Sequence, residues 1–458
     1  MLTARSPGKP VTTNFIGLFR SLDQFRWSAG LDVVSMDNYP DPADAEAHVA
    51  SAMACDLTRS VGGGRPWLLM EQAPGAVNWR AVNVPKAPRQ YRALSLQAVA
   101  HGADAVLSFQ WRAAATGAEK FHSGMVPHAG TDSRVWREVV SLGAELRRLA
   151  PVAGRPVPAQ AALLFDWENW WALEFDSHPS SCLRLTELLG ELYRPLLQAG
   201  VNADFAHPQS DLSGYRLILV PALYLVSDAG AENVRRFVAD GGTALITFFS
   251  GIVDPQDRVR LGGYPAPWRD LLGLRIEELA PLPSGAAVRL EDVPLEDRAT
   301  AIATAPATAT AGAGAAGRLW QDVIELRGAD PLLTFGEGHL GGQAAVTRHA
   351  HGRGTAFYLG TLPDRATLSG LVGQACQDAG IDRWTDLPDG VEAVRRGDYL
   401  FLISHLDRPV ELDLGAKRLD LLTGPRSGRG PCSGSVMPWC WPGRAWGRRT
   451  GPFTRLII

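Results

Sequence analysis

The residues best suited to chemistry centre on Glu71. The run Leu68-Leu69-Met70-Glu71-Gln72 is an apolar strand that delivers one carboxylate at its end, just after the turn signal Gly62-Gly63-Gly64-Arg65-Pro66. A charge beside such a run is costly unless the site pairs it or uses it. A carboxylate at a strand end can act as a nucleophile, forming a covalent glycosyl intermediate that water then releases. That chemistry calls for a second carboxylate about 5–5.5 Å away as acid and base. Downstream, Glu119 and His122 sit three apart in a glycine-bounded loop, a spacing able to present an acceptor and a donor to one set of hydroxyls. Trp79, Phe109 and Trp111 suit a stacking platform for the apolar face of a sugar. Asp37 and Tyr39 close another strand and face the same cleft, where a tyrosine hydroxyl bonded to the Glu71 carboxylate would help keep it ionised. Each has a plainer reading as well: a strand-end Glu, a solvated loop pair, core aromatics, and a turn Asp beside Pro40.

Positioning these groups requires strands whose ends share a rim. The first 150 residues repeat a short apolar strand followed by a helical stretch. The strands are 11–14, 33–38, 67–71 and 105–111. The helices include one from about Gln90 to His101 and one after Asp132 as N-cap, carrying Val135, Val139, Leu142, Leu146 and Leu149 on one stripe. Repeated βα units mean parallel strands with polar ends on one rim. Four units are half of a closed eight-unit barrel, which needs about 250 residues.

After Pro151 a second α/β region begins: strand 161–165, a helix after Ser181 ending at Gly200, strands 217–220 and 244–248 flanking a helix, then strand 356–359 and a helix ending at Gly380. This is a doubly wound, flavodoxin-like pattern. Ala299 to Gly317 reads as a loop insertion. From about Gly390 short strands (391–394, 399–403, 410–412) predict a small antiparallel β domain. The tail from Pro425 to Ile458 has no acidic residue and is crowded with Arg, Gly, Pro, Trp and Cys. It is read as a frameshifted translation, with a genuine basic tail as the alternative.

The 458 residues suffice for two or three domains. With 46% hydrophobic and 20% charged residues the composition is that of a soluble globular protein. A net charge of −3 gives no argument for nucleic acid or an anionic membrane as partner. The five cysteines match no zinc or disulfide pattern, so a reducing, cytoplasmic compartment is expected. No stretch reaches the ~20 apolar residues of a membrane span. Cys182 lacks a glycine-flanked nucleophile elbow, and the Asp166, Glu168, Glu174 cluster reads as structural or interfacial.

These motifs together resemble family 42 β-galactosidases. The resemblance rests on Ser35-Met36-Asp37-Asn38-Tyr39-Pro40, Leu68-Leu69-Met70-Glu71-Gln72, Val77-Asn78-Trp79-Arg80, Ser95 to Asp104, Phe109-Gln110-Trp111-Arg112, Ala118-Glu119-Lys120-Phe121-His122 and Phe165 to Glu174. It runs from about residue 9 to 424. It implies a retaining β-galactosidase that acts on terminal β-D-galactosides through Glu71, with Trp79, Phe109, Glu119 and His122 lining the galactose subsite. It also implies a homotrimer. The implied architecture is strands 5–8 of a (β/α)8 TIM barrel in 1–150, an amidotransferase-like, catalytically dead trimerisation domain in 151–387, a small β domain in 388–424 and an atypical basic tail in 425–458. The family's acid/base is a Glu directly after an Asn at the fourth barrel strand. These 458 residues contain no Asn-Glu dipeptide. The first four strands and the acid/base are therefore expected to be absent, which would leave the chain inactive, a remnant or scaffold, or one half of a split enzyme. No metal or cofactor is expected.

Overall fold

Strands β1 (Asn14–Phe15), β2 (Ser35–Asp37), β3 (Trp67–Glu71) and β4 (Ala103–Val106) form a parallel sheet in chain order. The computed structural model describes residues 2–293, 314–412, 419–422 and 455–457. The helices of this region are α1 (Leu2–Arg5), α2 (Gln24–Ser28), α3 (Ala47–Val61), α4 (Gln90–Ala100) and α5 (Arg134–Arg148). Along β3 the side chains alternate as the pleat requires. Trp67 and Leu69 are buried, while Leu68, Met70 and Glu71 are half-buried. Between α4 and β4 the chain turns on Gly102 at φ +108°, where a Cβ would also press on the Trp67 indole and on Arg59.

Two expectations shift here. The fourth strand runs from Ala103 to Val106; Leu107 N–H still donates to the Leu69 carbonyl of β3, and residues 108–111 then leave the sheet. Phe109 N–H donates to the Gln72 carbonyl, and Trp111 accepts from Val126. Helix α5 is capped by Ser133, not Asp132. Ser133 is extended and its hydroxyl accepts from Trp136 N–H, whereas Asp132 pairs with Arg137.

The second region holds α6 (Trp167–Leu173), α7 (Leu185–Gln198), α8 (Asp228–Ala239), α9 (Arg269–Leu272) and α10 (Arg365–Asp378). Its strands are β5 (Ala161–Leu164), β6 (Ala203–Ala206), β7 (Leu217–Val220), β8 (Thr243–Thr247), β9 (Leu274–Pro281), β10 (Ala287–Asp292), β11 (Ala316–Arg318), β12 (Trp320–Leu326), β13 (Asp330–Phe335), β14 (Ala344–His351), β15 (Gly354–Leu359) and β16 (Leu362–Pro363). The parallel strands lie in the order β6-β5-β7-β8-β15, the flavodoxin arrangement. Strands β5, β7 and β8 are buried throughout, as strands covered on both faces must be. The antiparallel strands β14, β13, β10, β11 and β16 extend this sheet beyond β15, and β9 and β12 form a separate ribbon. None of β9 to β14 was anticipated. Most of the Ala299–Gly317 stretch lies outside the described residues, and its end, Ala316–Gly317, belongs to β11. Asp166 caps α6, and Glu174 accepts from Trp170 Nε1 and Leu185 N–H, both structural tasks. Cys182 is exposed and free, and Cys55 and Cys376 are buried and free. Among the described residues no helix is long and apolar enough to cross a membrane.

Strands β17 (Val391–Arg396) and β18 (Tyr399–Ser404) form an antiparallel hairpin. Residues 410–412 do not form the expected third strand. Instead β20 (Arg455–Ile457) lies parallel to β18 and to β19 (Leu419–Asp420), so the sheet is mixed. The rest of the 425–458 tail is outside the described residues.

The chain divides into two compact units. One is drawn from Met1–Pro158, Leu197–Asn202 and Trp384–Ile458, the other from Ala159–Leu196 and Ala203–Arg383. The small C-terminal sheet thus shares a core with the first helices: Val394, Tyr399 and Phe401 pack with Tyr91, Leu96, Val139 and Leu142. Buried Arg396 completes the join. Its guanidinium donates to the carbonyls of Val99 (2.6 Å), Ala103 (2.8 Å) and Arg155 (3.0 Å) and pairs with Asp104.

Candidate active site

The parallel direction of β1 to β4 brings their carboxyl ends to one edge, and the polar residues found there come from successive strands. Asn14 opens the two-residue β1 and its side chain reaches Asp37, which ends β2; Glu71 ends β3, with Asp37 and Glu71 in register across a bulge. Tyr39 follows β2, and its hydroxyl donates to Glu71 Oε2 at 2.7 Å. A phenol donating to a carboxylate makes a short, charge-assisted bond that fixes its orientation. Reciprocally, burial and then the Glu71 carboxylate push the Tyr39 hydroxyl well above its ordinary value, so it stays a donor. Burial also pushes Asp37 up to about 6. Asn14 opposes this with Nδ2 bonds of 2.9 and 3.1 Å to both carboxylate oxygens, and the Glu71 charge adds to it.

The aromatic wall is narrower than the sequence suggested. Trp79, 57% exposed, meets Tyr39 edge-on with ring centroids 5.0 Å apart, and lies 5.4 Å from the His122 ring. Phe109 meets His122 edge-on at 4.9 Å. Trp111 does not join them. It is 62% exposed and packs edge-on against Trp136 of α5, 6.0 Å away.

Glu119 and His122 share a loop but not an environment. Glu119 is exposed, while His122 is 1% exposed. The backbone joins them, His122 N–H donating to the Glu119 carbonyl at 2.9 Å. Nδ1 of His122 lies 2.8 Å from the Ser123 carbonyl, which leaves Nε2 without a protein partner. The loop returns tightly because Ser123 is held twice, its N–H donating to Ala76 and its hydroxyl accepting from Gly75 N–H, both at 2.9 Å. At Gly124 a Cβ would collide with the backbone of Arg112 and Ala113.

Sequence reasoning missed Asn14, Arg80 and Lys86. Asn14 appeared only as a strand residue. Arg80 donates to the Tyr39 carbonyl at 2.6 Å, and buried Lys86 donates to the Ala73 carbonyl. An Asn in the strand beside the one that carries Asp37 was the one available signal. Backbone carbonyls as partners leave none. Among the described residues no group of three or more His, Cys, Asp or Glu could hold a metal ion.

Comparison with known proteins converges on one family. The family model described as β-galactosidase matches residues 1–149, and that described as the β-galactosidase trimerisation domain matches residues 159–382. A β-galactosidase of Heyndrickxia coagulans is 43% identical over 429 residues, covering 93% of this chain and 62% of that protein. One from an Arthrobacter species is 42% identical, covering 92% of this chain and 58% of that protein. The crystal structure of the β-galactosidase from Bacillus circulans sp. alkalophilus superposes with a TM-score of 0.86 at 37% identity, covering 92% of this chain and 62% of that one. The chain therefore spans about three fifths of the length of the relatives it matches. With both matched segments assigned to one family and the same α/β fold in the solved relatives, the chain belongs to the family 42 β-galactosidases, which are glycoside hydrolases.

Proposed function

We propose that this chain carries the nucleophile side of a retaining β-galactosidase site. Glu71 attacks the anomeric carbon of a terminal β-D-galactoside and forms a glycosyl-enzyme, which water hydrolyses. The observation that carries this reading is the 2.7 Å bond from Tyr39 to Glu71 at the end of a parallel strand, in a chain of this family. Tyr39 fixes the orientation of the carboxylate through that bond. The exposed indole of Trp79 offers a face for the sugar, bounded by His122 and Phe109. His122 Nε2, buried beneath this wall, has no protein partner, and Glu119 supplies an acceptor at the rim. In this reading β1 to β4 are strands 5–8 of a (β/α)8 barrel, and the segment from 151 to 387 is the trimerisation domain of a homotrimer.

General acid help is worth about 10²–10⁴-fold. No Asn-Glu dipeptide occurs in the 458 residues. Taken alone, the chain is thus proposed to be inactive on unactivated galactosides. The same observation favours a second reading, in which the chain is a non-catalytic scaffold or one half of a split enzyme.

A substrate whose leaving group needs no proton separates these readings. The 458-residue chain is incubated with 2,4-dinitrophenyl 2-deoxy-2-fluoro-β-D-galactoside, and the product is read by intact and peptide mass. A covalent sugar on the peptide containing Glu71, absent in Glu71→Gln, supports the nucleophile. A folded chain that stays unlabelled supports the scaffold. Turnover of lactose by the purified chain would overturn the proposed inactivity.

A further inference from the structure

The loop from Val77 to Arg89, between β3 and α4, touches the segments that follow β2 and β4. Asn78 Nδ2 donates to the Ala118 carbonyl at 3.0 Å, tying it to the Glu119–His122 loop. Trp79 meets Tyr39 and His122. Two cations of the same loop turn inward, onto backbone. Arg80 Nη2 donates to the Tyr39 carbonyl at 2.6 Å, and its Nε lies 3.3 Å from Asp41. Lys86 is 2% exposed, and its Nζ donates to the carbonyl of Ala73, two residues past Glu71. Among the described residues no carboxylate lies within ion-pair distance of it.

A buried ammonium facing only a carbonyl costs several kcal/mol relative to a packed apolar side chain. Burial, reinforced by the charge of Arg80, pushes Lys86 down to about 7. Packing alone gives no reason to keep a lysine there, since methionine fills the same volume without that cost. The carbonyl it holds lies on a tightly determined track. Ala73 and Gln72 are buried, Gln72 Nε2 donates to Ser95 Oγ at 2.7 Å, and the Gln72 carbonyl accepts from Phe109 N–H at 3.1 Å. The backbone of Lys86 is anchored in turn, its carbonyl accepting from Arg134 Nη2 of α5 at 3.1 Å.

We propose that Lys86 and Arg80 are positioning residues. Through the carbonyls of Ala73 and Tyr39 they fix the two backbone segments that carry Glu71 and Tyr39, and so set the hydrogen bond between those side chains. The catalytic consequence rests on Glu71 being the nucleophile; the positioning itself does not. Misplacement by about 1 Å at a reacting centre can cost about 10²-fold in rate, so loosening either carbonyl affects chemistry out of proportion to stability.

The test compares the 458-residue chain with Lys86→Met, Lys86→Arg and Arg80→Met. Three quantities are read: the rate of Glu71 labelling by the dinitrophenyl fluorogalactoside, deuterium uptake of the backbone amides in 71–76 and 38–42, and the global unfolding transition. Lys86→Met is expected to raise uptake in 71–76 and slow labelling about tenfold or more, with uptake elsewhere unchanged. Lys86→Arg, which keeps a donor, restores much of both. Arg80→Met raises uptake in 38–42. Unchanged local uptake in folded Lys86→Met and Arg80→Met overturns the proposal, whatever the labelling. If the parent chain is not labelled at all, the nucleophile reading fails, and the uptake data alone decide the positioning role. If Lys86→Met does not fold, Lys86→Arg and Arg80→Met decide it by the same local uptake.

Discussion

Removing the charge of His101 should change stability in a pH-dependent way, and its surroundings set the size of the effect. His101 ends α4 and is buried. Its Nδ1 lies 2.7 Å from Asp56 Oδ1, which also pairs with Arg59, and its Nε2 lies 3.6 Å from Glu392 Oε2. Glu392 is bonded by Gln97 (3.0 Å) and lies 3.2 Å from His405. Burial by itself would lower the imidazolium's pKa, but the two carboxylates reverse this and push it up to about 9. The unfolded value is near 6.5. Because the folded value is the higher one, the stabilisation is fully present below pH 6.5 and is lost as pH rises through 9. At about 1.4 kcal/mol per pH unit this interval corresponds to about 3 kcal/mol. Glu392, despite its burial, is held below the usual carboxylate range by His101 and His405 and does not titrate in that window. The assay is urea unfolding followed by proteolysis in 391–404, on the parent and His101→Gln, from about pH 6 to about pH 10. The stability gap should shrink by about 3 kcal/mol across that range. A gap that stays constant would refute the assignment of a charged His101 to the folded state.

Two further outcomes are expected. Burial pushes Asp322 up to about 7, although it accepts from Tyr358 (2.6 Å) and Trp320 (2.8 Å). Its contribution is therefore complete below pH 3.8 and lost as pH rises through 7, so Asp322→Asn should flatten the fall in the unfolding midpoint of the second unit between about pH 4 and pH 7. Replacing Tyr39 with Phe removes the hydroxyl that orients the half-buried Glu71 carboxylate. It should slow labelling of Glu71 about tenfold or more with little change in unfolding temperature, as read by intact mass and calorimetry.

What could be read in the sequence was whatever leaves a local periodic trace. The buried runs of β5, β7 and β8 declare parallel strands because both faces are covered, and their spacing by helices yields the flavodoxin order. Glu71 and Tyr39 were found because a carboxylate after an apolar run and a tyrosine after another strand are conspicuous locally. The ribbon of β9 and β12 was not found, because its register breaks at a bulge between Asp322 and Ile324 and its exposed positions mix with buried ones. Trp111 was misplaced because the strand was extended to residue 111, where the carbonyls of Gln110 and Trp111 already accept from Met125 and Val126 of the returning loop. Lys86 was invisible in principle, and so was the Arg80 bond to Tyr39, because the partners there are carbonyls, which every residue has. The Glu392–His101 contact joins residues far apart in sequence and shows no pattern at either end.

The two ends of the first sheet perform different tasks, and this follows from the direction of its strands. At the carboxyl ends stand Asp37 and Glu71, the last residues of β2 and β3, with Tyr39 just beyond and Asn14 bonded to Asp37. At the amino ends the preceding helices terminate: Arg59 lies in the last turn of α3, and His101 follows α4. Helix carboxyl ends favour cations, and here Arg59 also donates to the His101 carbonyl at 3.2 Å and Arg396 to the Val99 carbonyl. The resulting ionic cluster binds α3, α4 and the C-terminal hairpin together at the edge away from Glu71. In parallel βα folds, polar residues at the carboxyl edge belong to chemistry and those at the amino edge to stability. Substitutions at the two edges of this sheet should therefore combine additively. Tyr39→Phe would act on labelling, His101→Gln on unfolding, and the double variant would show both effects undiminished, because the two residues share no hydrogen-bond partner.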